Sequence, residues 1–409
     1  FSVYYIIIIN IMELNQYVDF TSNQESNLFL RCLWSRIRHN FGRLAWQIMP
    51  CYDAKKKSVD VGNADIGMKS PILITLFHKK RDNKCLSRIL FRNFGSVTNV
   101  EWGKIVEKLK LSVDEARNYN QYISEHFLEY TFHSSLVFKK SEATNFNLEN
   151  NNYKFKILGF DTIDIKAYGT SLIQIINDLL SFDILRPIYN DNCKVKNCFD
   201  TEYRIVFCNS EGKPLEDNKE DNEEEDSRFE LSDTILVYIE NLINREFNYL
   251  EPLNRFEKAI NFFTQGLIFE RLQNTELRQY IKPSENAIVC YMSSLEIITL
   301  EDIKSTKCDV CKMEKFSIAK RVKELVKNAS NNDPYQISLV TDYYNLRSKF
   351  VHTGELTSSN NYGGTSIPLI GKKGLIPQVY YLDTVYKQYI KNYILYHELD
   401  KDGNINSDF

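Results

Sequence analysis

The stretch "DYYNLRSKFVHTGEL" (residues 342–356) decides the reading of this chain, because it joins a clear helical rhythm to residues suited to chemistry. Arg347 precedes His352 by five positions, and Gly354 then marks a helix end. Five residues along a helix correspond to about 140° of rotation, so the two side chains can border one cleft without sharing a narrow face. The stretch therefore predicts the end of a helix over 334–353 and a candidate site at that end.

Apolar residues also recur at helical spacing in the sequence before and after this predicted helix. The helix itself, which begins at the capping signal Asp333-Pro334, is apolar over so wide a stripe that we expect it to be largely buried. The chain after residue 230 is thus predicted to form an all-α bundle of five or six helices. The other predicted helices cover residues 233–249, 252–272, 284–303, 314–329 and 378–399.

The first half of the chain alternates between strand and helix patterns, which predicts a mixed α+β domain over residues 1–214. The acidic tract 215–230 buries nothing and predicts a linker or loop before an all-α domain over 231–409. The fold class is therefore α+β, with a mixed α/β domain followed by a helical bundle. Predicted strands cover 71–77, 130–138, 153–168 and 203–207, and predicted helices cover 28–48, 103–127 and 171–181.

Composition restricts the class of protein. The chain has 409 residues, of which 43% are hydrophobic and 26% charged, as in a globular protein with ample core. A net charge of −3 means that any contact with nucleic acid must come from a local patch. Nine scattered cysteines suit a reducing compartment, so we expect a cytoplasmic location. The apolar start is shorter than the ~20 residues of a membrane span, and residues 1–11, which precede Met12, are expected to be read-through or a fragment edge.

Arginine and histidine together suit the cleavage of RNA without a metal ion. The reaction needs a base for the 2′-hydroxyl, an acid for the leaving 5′-oxygen, and a cation to stabilise the pentacoordinate phosphate. Histidine exchanges protons near neutral pH, and arginine offers forked donors that match phosphate oxygens. The alternative is structural, because a histidine before a glycine is also a common way to end a helix.

The motif and its surroundings resemble the HEPN superfamily, and within it the ApeA-like branch. The resemblance covers roughly residues 250–400 and rests on "YYNLRSKFVHTGE", "ENAIVCYMSSLEIIT" and "KFSIAKRVKELV". That superfamily carries an arginine, four to six residues and a histidine at the end of a bundle helix. The resemblance implies a HEPN-like helical domain that dimerises through its motif helices and cuts RNA without a metal or cofactor. It also implies a role as a toxin or in abortive-infection defence against phage, with a phage component or an antitoxin as the possible trigger.

The same resemblance implies roles for single residues. Arg347 would hold the scissile phosphate, and His352 would act as acid or base. Ser348 takes the polar position after the arginine, where many members have Asn, Asp or His, so its role is less defined. Glu296, on an earlier helix, would hold Arg347 or His352 in place, or would be only a structural carboxylate. Weak candidates for contact with the RNA backbone are Lys349, Lys372 and Lys373.

Two further patterns offer alternatives. "CDVC" (308–311) is half of a zinc site, which Cys193 and Cys198 would have to complete, although ordinary thiols explain it better. The segment 31–46 mixes arginine and tryptophan in a way that suits single-stranded nucleic acid, although an amphipathic helix with a solvated arginine face explains it better. The leading hypothesis is thus an endoribonuclease. Its rivals are a non-catalytic HEPN module that binds RNA or nucleotide and mediates dimer contacts, and a zinc-dependent binding module.

Overall fold

The structure is a computed structural model of the chain. The described residues form two large sheets and nine α-helices. The described residues are 12–67, 71–79, 85–93, 97–132, 136–188, 190–197, 202–204, 228–245, 253–272, 283–300, 318–353, 370–371, 374–375 and 384–399.

The first sheet has five antiparallel strands in the order β1-β5-β4-β3-β2. One face of this sheet packs against two helices, α1 (Asn23–Phe41) and α2 (Asn99–Arg117), to form the first hydrophobic core. The prediction of a strand over 71–77 is confirmed. The strands are β1 (Met12–Tyr17), β2 (Ala45–Asp53), β3 (Ser58–Asp65), β4 (Ile72–His78) and β5 (Leu86–Asn93).

Local signals set the ends of α1 and α2. The hydroxyl of Ser22 accepts a hydrogen bond from the amide of Glu25 and so starts α1. Gly42, with φ of 77°, ends that helix in the left-handed conformation that glycine favours. The predicted helix over 28–48 is therefore wrong beyond residue 41, since β2 follows. The predicted helix over 103–127 is likewise too long, because α2 is followed by a strand.

The second sheet has six antiparallel strands in the order β11-β10-β6-β9-β8-β7. The prediction of one strand over 130–138 is wrong, because β6 ends at 132 and β7 begins at 138. The predicted strand over 203–207 is confirmed for the two residues of it that are described. The strands are β6 (Ser124–Phe132), β7 (Phe138–Glu142), β8 (Phe146–Asn150), β9 (Asn152–Gly159), β10 (Asn190–Asn197) and β11 (Glu202–Arg204).

The segment predicted as a strand over 153–168 divides into β9 and the start of α3 (Thr162–Ile184). The carboxylate of Asp161 accepts a hydrogen bond from the amide of Asp164 at 2.8 Å, and this cap starts the helix. Alternation of buried and exposed residues in β9 ends just before the cap. The helix predicted over 171–181 is confirmed but is longer at both ends.

The remaining helices follow the predicted pattern, and all six predicted segments after residue 230 contain a helix. Two short strands, β12 (Ile370–Gly371) and β13 (Gly374–Leu375), pair within this part and were not predicted. The combination of helices with antiparallel sheets confirms the α+β class. The helices are α4 (Asp233–Asn244), α5 (Arg255–Arg271), α6 (Pro283–Ile298), α7 (Ile318–Ala329), α8 (Pro334–Thr353) and α9 (Thr384–Glu398).

The second hydrophobic core joins the second sheet and α3 to the helices that follow. Polar contacts run across the same junction. The amide of Asn261 on α5 donates to Asp178 on α3 at 2.7 Å, and Lys391 on α9 donates to Asp183 at the same distance. Most of the acidic tract 215–230 lies outside the described residues, so the division of the chain into folding units at that tract remains a prediction.

The arginines of α1 are not a solvated face. Arg31 binds both carboxylate oxygens of Asp164 at 2.8 Å, and Arg38 binds both oxygens of Asp161 at 2.8 and 2.9 Å. Arg36 pairs with a glutamate of α2. Three of the arginines that were predicted to contact nucleic acid or to form a solvated helix face are therefore paired with carboxylates inside the fold.

No helix among the described residues combines the length and the apolarity that crossing a bilayer requires.

Candidate active site

The helix that carries the motif, α8, begins as the sequence predicts. The carboxylate of Asp333 accepts a hydrogen bond from the amide of Tyr335 at 2.9 Å, and Pro334 occupies the first helical position. Asn331 and Asn332 adopt positive φ angles of 52° and 63° in the turn after α7. This turn brings α7 and α8 into contact, and α8 also packs against α6.

The position of Arg347 is fixed by a carboxylate from α6. Its Nη2 donates to Oε2 of Glu296 at 3.0 Å, while the hydroxyl of Tyr344 donates to Oε1 of the same group at 2.8 Å. The Arg347 side chain is 20% exposed and that of Glu296 is 12% exposed. Both oxygens of a buried carboxylate are thus satisfied from α8, one by a cation and one by a neutral hydroxyl.

The electrostatics of this cluster keep Tyr344 protonated. Burial is the main cause that raises the pKa of Tyr344 to about 12, and the hydrogen bond to Glu296 and the charge of that carboxylate add to the rise. The positive charges of Arg347 and of Arg321 on α7 act in the opposite direction. The tyrosine is therefore a hydrogen-bond donor at neutral pH and is not a proton acceptor.

Arg347 keeps donors that the described part of the fold does not use. Its Nε is buried and has no hydrogen-bond partner among the described residues, and the same holds for Nε of Arg321. The buried Nε itself is not accessible to a phosphate, but the side chain is 20% exposed, and a guanidinium held through Nη2 has further Nη N–H groups to donate to phosphate oxygens. The arrangement can thus stabilise an anion beside α8.

His352 lies in the last turn of α8 and is exposed to solvent. Within the described residues its ring makes no hydrogen bond, so nothing there fixes one tautomer. Ser348 is half-buried, and its hydroxyl has no partner in the described part of the chain. The structure therefore brings Glu296 and Arg347 together, but it leaves His352 outside that cluster.

The prediction that α8 is largely buried is wrong. Among its described side chains only Val340 is buried, while Leu346 and Phe350 are half-buried and Val351 is 49% exposed. The neighbouring helices α6, α7 and α9 all contact α8, but they leave the last three of these side chains partly exposed. Apolar surface therefore remains next to the arginine and the histidine.

The other predicted site residues lie where the structure gives no side chain. Lys349 belongs to α8, but its side chain is outside the described part, as are Lys372 and Lys373. The cysteines of "CDVC" and Cys198 also lie outside, and Cys193 lies in β10 without a described side chain. The described residues contain no group of three or more potential metal ligands.

Tyr344 and Arg321 were missed in the sequence. A signal for Tyr344 existed, because it precedes Arg347 by three residues and so lies on the same side of the helix. Arg321 had no such signal, since its place beside the cluster depends on the packing of α7. Both residues belong to the surroundings of Glu296.

Three comparisons with known proteins return nothing: no family model, no curated protein and no solved structure matches the chain.

Proposed function

We propose that this chain is a metal-independent endoribonuclease of HEPN type. The observation that carries the proposal is the ion pair between Arg347 on the motif helix and Glu296 on α6. A solvent-exposed helix end needs neither a buried carboxylate nor a fixed arginine. A catalyst of phosphodiester cleavage needs a guanidinium whose position is set before the substrate arrives.

The division of labour follows from the chemistry of each side chain. Arg347, oriented by Glu296, donates to the non-bridging oxygens of the scissile phosphate and stabilises the negative charge of the pentacoordinate state. His352 removes the proton of the 2′-hydroxyl or protonates the leaving 5′-oxygen. The 2′-oxygen forms a bond to phosphorus as the bond to the 5′-oxygen breaks. The products carry a 2′,3′-cyclic phosphate and a 5′-hydroxyl.

The proposal includes a homodimer in which α8 of one protomer faces α8 of its partner. Two facts support it. The first is that the reaction needs a base and an acid together, and one histidine can act as only one of them at a time. His352 of the partner protomer would supply the other. The partly uncovered apolar residues Leu346, Phe350 and Val351 next to the motif offer a surface for such a contact.

The cellular part of the proposal rests on the resemblance alone. The protein would act in the cytoplasm, where its RNA substrates are, as a toxin or as an abortive-infection effector. The part of the chain before the helical bundle would sense a phage component or select the RNA. Lys349, Lys372 and Lys373 would contact the RNA backbone near the cleavage site.

The test is RNA cleavage by purified full-length protein in excess EDTA. We expect wild type to cut end-labelled RNA and leave 2′,3′-cyclic phosphate ends. His352→Ala and Arg347→Ala should each lower the rate by about 10²- to 10⁴-fold, because each removes a group that acts in the transition state. Thermal unfolding of each variant checks that the fold is retained.

Two matched controls separate chemistry from structure. His39→Ala removes another exposed histidine from the last turn of a helix, α1, and should leave the rate unchanged. Arg36→Ala breaks another half-buried arginine–glutamate pair, between α1 and α2, and the variant should also cleave normally if it folds. Cleavage that stops on chelation, or that persists in His352→Ala, would contradict the proposal. Binding of RNA without cleavage by any of the proteins would favour the non-catalytic module.

A further inference from the structure

The second face of the first sheet carries a row of side chains that the proposed active site does not use. Tyr17 on β1 pairs with Arg88 on β5, and Arg88 pairs with Phe77 on β4. Residues directly opposite each other in antiparallel strands point to the same face. The intervening positions, such as Ile89, belong to the first core and face α1 and α2. We propose that this face, at the row of Tyr17, Arg88 and Phe77, binds single-stranded RNA.

The row is built for stacking. The guanidinium carbon of Arg88 lies 3.6 Å from the centre of the Phe77 ring and 5.9 Å from that of Tyr17. Tyr17 is 69% exposed, and Phe77 and Arg88 are half-buried. Unpaired bases stack on aromatic rings and on the planes of guanidinium groups. Arg88 already covers the ring of Phe77, so the ring of Tyr17 and the guanidinium of Arg88 are the flat surfaces offered to successive bases.

Arg88 is a cation without a counter-charge among the described residues, where its contacts are to aromatic rings. The contrast with Arg92, four residues further along the same strand and on the same face, is informative. Arg92 pairs with Asp60 at 3.2 Å and donates to Thr75 at 2.7 Å. On this face a carboxylate therefore neutralises the positive charge at the row of Arg92, whereas the described contacts of Arg88 are aromatic rings.

The end of the sheet around this row is basic, although the whole chain has a net charge of −3. The backbone oxygen of Lys57 accepts a hydrogen bond from His78 at 3.1 Å, which places the turn between β2 and β3 beside the end of β4. The segments 17–19, 53–58, 77–79 and 86–88 together carry five cations and two carboxylates. The cations are Lys55, Lys56, Lys57, Lys79 and Arg88, and the carboxylates are Asp19 and Asp53.

This combination selects the occupant. Phosphates need the local positive charge, and bases need the exposed rings, so a single strand satisfies both features. A duplex keeps its bases stacked and paired and can use only the charge. The choice of RNA over DNA rests on the proposed function, in which this surface would hold the RNA that the helical domain cuts.

The test measures binding apart from cleavage, in full-length His352→Ala protein with excess EDTA. The probe is a fluorescein-labelled oligouridine of about 12 nucleotides, within the usual range of strand lengths that such surfaces hold, and its anisotropy reports binding. We expect Tyr17→Ala and Arg88→Ala each to raise Kd about tenfold, because each removes one stacking surface. The same oligomer annealed to its complement should bind at least about tenfold more weakly than the single strand.

Two controls match these changes elsewhere. Lys110→Ala removes an exposed cation from α2, on the covered side of the sheet, and Tyr396→Ala removes a tyrosine that is 54% exposed on α9. Both should change Kd by less than about twofold, a surface effect. The proposal is overturned if the oligomer does not bind, if the Tyr17 and Arg88 variants bind like their parent, or if the duplex binds as tightly.

The two proposals fail separately. Binding that depends on Tyr17 and Arg88, together with cleavage that does not depend on His352, would refute the nuclease and leave this surface standing. Cleavage that depends on His352, with binding that ignores both sheet residues, would refute the surface alone.

Discussion

At the scale of single residues, carboxylates determine where the arginines of this protein lie. Glu296 accepts hydrogen bonds from Arg347 and from Tyr344. Asp164 accepts hydrogen bonds from Nε and Nη2 of Arg31. Hydrogen bonds to both oxygens of a buried carboxylate offset the cost of removing it from water, whereas loss of one partner would leave part of that charge unpaired. Arg88 differs, since its described contacts are aromatic rings.

Asp178 shows how burial makes a carboxylate depend on pH. Burial raises the pKa of Asp178 to about 7, and the hydrogen bond from Asn261 partly opposes the rise. The unfolded chain loses this proton near pH 4, so between about pH 4 and 7 only the folded protein keeps it. The contribution of Asp178 to the free energy of unfolding therefore falls as pH rises from about 4 to 7 and no longer changes above that range.

We expect Asp178→Asn to remove this dependence. The free energy of unfolding of the variant, relative to wild type, should increase from pH 4 to pH 8 by at most about 4 kcal/mol. Urea unfolding at the two pH values measures it. Asp114→Asn, which alters an exposed carboxylate on α2, should shift by less than about 0.5 kcal/mol. Equal curves for Asp178→Asn and wild type would show that the carboxylate is ionised in the fold.

At the scale of elements, α5 and α6 form the most extensive helix contact in the described structure, and a glycine permits it. A Cβ on Gly266 would lie 2.7 Å from the ring of Tyr291, closer than atoms can approach. Tyr291 is fully buried and packs its ring edge against Phe263. The glycine thus sets the distance between α5 and the helix that carries Glu296.

Gly266→Ala is expected to destabilise the protein by about 1–3 kcal/mol, because overpacking exceeds the gain in helix propensity. Gly103→Ala on α2 is the matched change, since a Cβ there meets nothing within 4 Å. It should stabilise by about 0.5–1 kcal/mol through propensity alone. Urea unfolding checks both. A Gly266→Ala protein as stable as Gly103→Ala would mean that Tyr291 has room to move.

At the scale of the whole molecule, buried charge connects the two hydrophobic cores. Arg31 belongs to α1 of the first core, and Asp164 lies in the first turn of α3 of the second. Their side chains are only 8% and 7% exposed. The guanidinium also lies 3.4 Å from the centre of the Tyr168 ring. Removing one member of a buried pair leaves the other charge unpaired, at a cost of about 3–5 kcal/mol.

Arg31→Met should therefore lower the unfolding free energy by about that amount and should uncouple the cores. The three tryptophans of the chain, Trp34, Trp46 and Trp102, all pack at the first core, so fluorescence reports that core alone. Circular dichroism follows the helices of both. We expect tryptophan fluorescence to change at lower urea than ellipticity in this variant.

The control for that experiment is Arg43→Met, which breaks an exposed pair with Asp65. Its unfolding free energy should change by less than about 1 kcal/mol, as for surface ion pairs generally. Coincident transitions in Arg31→Met, at the urea concentration found for Arg43→Met, would show that the buried pair does not couple the cores.

The local sequence determined the six helices after residue 230 and the start of α8, because helical periodicity and caps lie within a few residues of each other. The family resemblance, and no local pattern, suggested Glu296 as a partner of Arg347 or His352 or as a structural carboxylate, and 51 residues separate it from Arg347. The local sequence did not locate the ends of α1 and β9, where a glycine and an aspartate cap outweigh an apolar pattern that continues past them.

Only the tertiary structure decided which surfaces meet. Arg31 finds its carboxylate 133 residues away, so no spacing within α1 distinguishes it from a solvated arginine. The same limit applies to α8, whose apolar stripe indicates burial although its packed neighbours leave most of it partly exposed. It applies also to the row of Tyr17, Arg88 and Phe77, which strand pairing assembles. The sequence by itself set the elements and the chemistry they carry, and packing between distant segments set which of those groups are paired, buried or left open to a ligand.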